Sequence, residues 1–204
     1  MRLFSRRTKE LVEDLLPASL GAGPLLQRDY WAVVANCRHK PSEVMELVAR
    51  RFWEFAPEDM VRFHRADGTE EPLEPGDEME VKIRMAGTFR VRLLHRDATS
   101  LTIGTLAGHP EAGRITFGAY RNDRGDVIFH IRSLARSSSQ GRYVGFLAMG
   151  EAMQTNCWTD FVNNVASTVG DGVLGYVHAE TMKRKRRLES DEEAHSPTFI
   201  AQGD

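Results

Sequence analysis

Cysteine is nearly absent. The 204 residues hold two, Cys37 and Cys157, far apart and without CxxC or Cys/His spacing, which excludes a disulfide framework and argues against a structural zinc site. Each reads as a small buried apolar residue, with a nucleophile as the sharper alternative. An excess of charge of one sign is missing too: Lys and Arg number 27 against 29 Asp and Glu, a formal net charge of -2. No global basic field therefore draws the chain to nucleic acid or anionic lipid. There is no run of about eighteen apolar residues, and the start Met1-Arg-Leu-Phe-Ser-Arg-Arg7 lacks the uninterrupted apolar stretch of a secretory signal. The expectation is a cytoplasmic protein with no integral membrane association. A GxxxxGK[ST] loop, a dinucleotide fingerprint, a metal motif and a nucleophile elbow are absent as well, which speaks against the common kinases, dehydrogenases, zinc enzymes and serine hydrolases. No cofactor and no metal are expected.

What is present suits one compact domain with tails, since 41% of the residues are hydrophobic. Residues 1–29 read as an N-terminal helix and linker. Leu3, Phe4, Leu11, Val12, Leu15 and Leu16 recur at roughly helical spacing until Pro17, and Gly21-Ala-Gly-Pro24 reads as a turn-rich connection. Glu10, Glu13 and Asp14 weaken any cationic face, so this helix is expected to pack on the protein rather than on a membrane. The main domain is placed at 30–182. It opens with a strand over Tyr30–Cys37, followed by a helix capped by Ser42 that carries Val44, Leu47, Val48, Phe52 and Phe55 and stops at Pro57.

Beyond Pro57 the period changes from helical to two. Strands are predicted at 60–65, 79–85, 89–95, 100–106, 114–121 and 127–134, separated by short turn signals that imply antiparallel neighbours. The helical period returns after 137–141, where Phe146, Met149, Met153, Cys157, Phe161, Val165 and Val169 form one stripe. This long helix is expected to end near Val169, with Gly170-Asp-Gly172 as a loop before a final short helix. The basic run Lys183–Arg187 reads as a solvated helix end, and 183–204 as a charged tail that is disordered from 188 onward.

The predicted class is α+β: a curved antiparallel sheet of seven strands wrapped around a long C-terminal helix. This element order resembles the helix-grip architecture of the Bet v 1 and START-related superfamily. The resemblance implies an apolar cavity between sheet and helix for a small hydrophobic molecule. Such a pocket exists only where the facing side chains fall short of filling it.

The most informative segment is Gly104-Thr-Leu-Ala-Gly-His-Pro-Glu-Ala-Gly113, followed by Phe117 and by Ile131-Arg-Ser-Leu-Ala-Arg136. It resembles the family named domain of unknown function nineteen-ninety, whose hallmark reads GTLxGHPExGEExF before a strand ending near Ser-Arg-Pro. The paired acids of that hallmark are Arg114 and Ile115 here, and the Ser-Arg-Pro is Ala135-Arg136-Ser137. The resemblance implies a family without an established reaction.

His109, with an unperturbed pKa of about 6.5, is a candidate general base or a donor to a ligand's polar head. Glu111 is a candidate orienter of His109 or a cation binder. Both also fit a rigid turn in which Pro110 fixes φ and Glu111 bonds loop amides. Tyr120, His130, Arg132 and Arg136 are possible partners. Parity ties His130 and Arg132 to one face, that of Ile128, and Ile131 to that of Phe129. Met149 and Met153 are candidate lining residues whose thioethers suit varied apolar ligands. Trp31, Trp53 and Trp158 read as core or pocket wall. Three functions follow: a receptor for a small hydrophobic ligand, a cyclase or hydrolase with His109 and Glu111 as acid and base, or a protein-interaction module with a filled cavity.

Overall fold

The computed structural model of the chain describes residues 14–65, 68–69 and 71–184, with the side chains of 140–153 outside that description. The segment 1–13, read as most of the N-terminal helix, and 185–204, read as most of the charged tail, lie outside it. So do the side chains of Met149 and Met153.

Eight strands form one antiparallel sheet in the order β2-β3-β4-β5-β6-β7-β1-β8. They are β1 (Ala22–Val33), β2 (Val61–Arg65), β3 (Glu78–Ile83), β4 (Gly87–Arg96), β5 (Ser100–Thr105), β6 (Glu111–Arg121), β7 (Val127–Ser137) and β8 (His178–Arg184). The predicted seven strands are thus corrected to eight. The addition is β8, which lies where a short helix and the charged tail were expected and pairs antiparallel with the free edge of β1. Its residues after His178 are exposed, so it has no buried face to produce an alternating pattern. β1 begins at Ala22 rather than Tyr30 and takes in residues 22–29 of the predicted linker. Pro24 is accommodated because the register against β7 slips between Ala22 and Leu26, where the missing N–H of proline removes no ladder bond.

Among the described residues there are also three α-helices, α1 (Pro41–Arg50), α2 (Phe52–Phe55) and α3 (Gln140–Val169), and one 3-10 turn over Ala18–Leu20. Ser42 is not the cap of α1. Pro41 occupies the first turn, and Glu43 reaches back to accept the Lys40 backbone N–H at 2.8 Å, one half of a capping box. Val44, Met45, Val48 and Ala49 are buried on its sheet side, with Phe52 and Phe55 continuing the apolar face.

The far half of α3 rests on the inner face of the sheet. Phe161 is fully buried, with its ring centroid 5.2 Å from Phe52, 5.1 Å from Phe117 and 6.2 Å from Phe129. Val165, Ala166 and Val169 carry the buried stripe onward, and the Asn164 amide donates to the Phe55 carbonyl at 3.0 Å. The helix ends at Val169, as its apolar period predicts. Gly170 fits there because a Cβ at that position would meet the Ala35 carbonyl oxygen at 2.4 Å.

Candidate functional site

The turn joining β5 to β6 is built by its own side chains. The His109 amide bonds the Leu106 carbonyl at 3.1 Å, and Gly108 takes a φ of 92° that a side chain would strain. Nδ1 of His109 lies 3.0 Å from the Glu111 amide nitrogen, which donates to it. Thr105 Oγ1 accepts the Gly113 N–H at 3.0 Å and donates to the Leu16 carbonyl at 2.9 Å. The Gly-Thr-Leu-Ala-Gly-His-Pro-Glu sequence is therefore a braced turn, with the buried His109 ring set edge-on to Phe89 at 5.4 Å.

This brace fixes the phase of β6. Phe117 faces the core, so by the two-residue period Glu111, Gly113 and Ile115 share the inner face. On β1 the same face carries Arg28, Tyr30 and Ala32, and on β7 Phe129, Ile131, Ser133 and Ala135. Gly113 pairs with Ala135, so the strip between Arg28 and Glu111 holds almost no side-chain bulk. Arg28 reaches across it: Nη1 stands 3.4 Å from Glu111 Oε1, and the side chains are 4% and 15% exposed. Burial pushes the Glu111 carboxyl above the ordinary carboxylate range, although Arg28 and a hydrogen bond with Gln154 of α3 pull the other way.

Beside Glu111 an apolar space of about 110 Å³ lies between the sheet and α3. Phe52, Val91, Ile103, Phe117 and Trp158 form its apolar wall; His109, Glu111, Ser133 and Gln154 supply its polar groups. Cys157 also lines it, and burial raises its thiol to about 12, so it meets the space protonated and without nucleophilic character. Among the described residues, no group of three or more His, Cys, Asp or Glu side chains is placed to hold a metal ion.

His130 and Arg132 do not join His109 and Glu111. Phe129 and Ile131 take the inner face, which sends His130 and Arg132 together to the outer one. There His130 Nε2 lies 2.8 Å from Asp29 Oδ1, Arg132 Nε donates to the same oxygen, and the Gln27 amide donates to Oδ2 at 2.6 Å. Burial would raise the Asp29 carboxyl, but these bonds outweigh it and hold the group at about 2. Tyr120 packs near His130 on that side, with ring centroids 6.2 Å apart. Trp31 stacks on His178 at 4.8 Å, also outside the cavity. Of the tryptophans named from sequence, Trp158 lines the space and Trp53 packs against the core at its margin.

Sequence reasoning missed Arg28 and Gln154. The signal for Arg28 was its parity with Tyr30 and Ala32, hidden because residues 22–29 read as linker.

A sheet of antiparallel strands with few helices is a fold shared with solved structures. The KanY protein superposes with a TM-score of 0.52 at 10% identity, over 72% of this chain and 99% of that one. A hypothetical protein from Helicobacter pylori superposes with a TM-score of 0.51 at 9% identity, over 69% and 86%. The ginseng major latex-like protein 151 from Panax ginseng gives a TM-score of 0.47 at 11% identity, over 72% and 99%. At such identities the likeness concerns fold alone. The chain belongs to the family Domain of unknown function (DUF1990), which matches residues 39–162 and so includes the braced turn. No curated protein matches the sequence.

Proposed function

We propose that this protein is a helix-grip receptor for a small, mainly hydrophobic molecule, held between the inner face of the sheet and α3, with Glu111 at the polar end. The observation that carries this reading is the space of about 110 Å³, apolar along most of its wall and ending on a largely buried carboxyl group. Ligand sites of this kind combine apolar walls with a few placed polar groups. The size limits the occupant. It falls below the roughly 300 to 1,000 Å³ of drug-sized pockets and near the roughly 150 Å³ that accommodates benzene in an engineered cavity. A molecule of about one ring fits that range.

The cyclase or hydrolase alternative needs His109 and Glu111 to work as acid and base. Nδ1 of His109 accepts the Glu111 backbone N–H and the Glu111 carboxyl faces Arg28, so both groups brace the turn, and binding is the reading taken here.

The test is ligand-observed NMR with toluene on the full chain and on Ala135→Phe, which adds a ring to the wall. Saturable binding by the native chain, lost in Ala135→Phe with the circular dichroism spectrum unchanged, is expected. Equal binding by a folded Ala135→Phe would remove the cavity as the site.

A further inference from the structure

The sheet ends on an open edge. Among the described residues no strand lies beyond β8, so one row of its N–H and C=O groups faces outward. Such edges are usually blunted by a proline, a bulge or charged side chains. β8 has no proline, and its register with β1 runs unbroken from Leu25 opposite Arg184 to Trp31 opposite His178, which leaves charge alone.

Apolar surface gathers along the same edge. Of the five large hydrophobic residues exposed among the described ones, Leu174, Tyr176 and Met182 fall here, the other two being Leu20 and Met85. The Leu174 amide bonds the Val33 carbonyl at 2.8 Å, so the chain already runs beside β1 before β8 begins. The Tyr176 ring lies 4.4 Å from that of His178, which stacks on Trp31.

The charges of β8 select the partner. Glu180 and Met182 stand opposite Asp29 and Gln27, and Arg184 Nε donates to Gln27 Oε1 at 2.7 Å, so these three residues share the outer face. Arg132, one strand further on, donates to Asp29, and among the described residues no ion pair engages Glu180. When two identical strands pair antiparallel about a two-fold axis, directly opposed residues have the same backbone parity, so the axis passes where one residue meets its own copy. An axis at Glu180 or Lys183 sets like charges together, and one at Thr181 sets Glu180 against Met182. An axis at Met182 brings the two thioethers together and places each Glu180 opposite Arg184 of the second copy.

We infer that two copies of this chain join β8 to β8, antiparallel about Met182, into one continuous sheet. β8 does not line the cavity, so this association and the receptor reading stand or fall separately.

Sedimentation velocity of the full chain across a range of concentrations tests this. The native chain is expected to dimerise. Glu180→Arg alone and Arg184→Glu alone each turn both symmetry-related pairs into like charges, and each should raise the dissociation constant about tenfold. An equal mixture of the two variants opposes unlike charges at both pairs and should restore the dimer, which a merely structural role of either side chain would not produce. Arg184→Glu also gives up its bond to Gln27. Glu180→Arg and Met182→Lys, which leave that bond in place, therefore decide the matter if Arg184→Glu does not fold, and both should weaken the dimer. A native chain that stays monomeric, a dimer indifferent to Glu180→Arg and Met182→Lys, or a mixture of folded variants no tighter than either alone overturns the inference.

Discussion

Arg28 and Glu111, separated by 83 positions in the chain, meet at 3.4 Å across the inner face of the sheet. They meet because Gly113 and Ala135 leave the strip between them open and because the turn ahead of Glu111 sets its phase. The pair is buried on a face that elsewhere carries Phe117, Phe129 and Ile131, so it bears a desolvation cost that an apolar replacement would not.

Removing one partner should hurt more than removing both. Arg28→Met is expected to cost about 3 kcal/mol, the lower end for breaking a buried pair, because Glu111 can take up a proton. Arg28→Met combined with Glu111→Gln should recover most of that loss. Urea unfolding of the singles and the double supplies the cycle; strictly additive losses would show that the two do not interact.

The outer-face cluster gives a pH signature. The folded-state pKa of Asp29 is lowered from 3.8 to about 2, so its contribution is present above about pH 4 and disappears as pH falls through about 2. The shift corresponds to about 2 kcal/mol. Asp29→Asn should therefore be less stable than the native chain at pH 6 by about that amount, with the gap closing between pH 4 and pH 2. A gap constant across that range in urea titrations would contradict the assignment.

How much of this was legible in the sequence depends on burial. β2 to β7 stood out because each has one face in the core, and short turns join most of them. One such turn shows its chemistry directly: the Asn122 side chain accepts the Arg124 and Asp126 amides at 3.0 and 2.9 Å. β8 was hidden, since its residues from Ala179 to Arg184 are exposed and only the edge of β1 selects it. The same limit applied to the site. His109 and Glu111 were visible as a local motif, whereas Arg28 lies far away in sequence on a stretch whose Gly and Pro suggested a linker. Parity coupled His130 to Arg132 correctly, but which face they took depended on whether Phe129 or Ile128 entered the core. Phe129 did, at 0% exposure.

Gly113 should be the least replaceable residue of the turn. A Cβ there would stand 2.2 Å from the Leu134 carbonyl oxygen and 2.7 Å from the Ala135 Cα, and both obstacles are backbone of the neighbouring strand. Gly113→Ala must part β6 from β7 and is expected to cost about 3 kcal/mol or more, as strain and lost ladder bonds add. Gly125→Ala, at φ 85° with open space around it, should cost about 1 kcal/mol. Thermal unfolding of the two variants compares them, and equal losses would mean that the strand pairing beside Glu111 is looser than described.

The attachment of α3 to the sheet is concentrated in Phe161. Its ring meets those of Phe52, Phe55, Phe117, Phe129 and Trp158, drawing α2, β6 and β7 onto one side chain. Phe161→Ala is expected to cost about 3 to 5 kcal/mol through lost transfer energy and the void left behind. That void adjoins Phe52, Phe117 and Trp158, which already line the cavity, so the variant should also enlarge the binding space. Toluene should then raise the thermal midpoint of Phe161→Ala by more than it raises that of the native chain, because a ligand bound to the folded state stabilises in proportion to its affinity. A variant that loses stability without gaining this response would mean that the void collapses, and that the cavity and the helix-sheet contact are separate features of the fold.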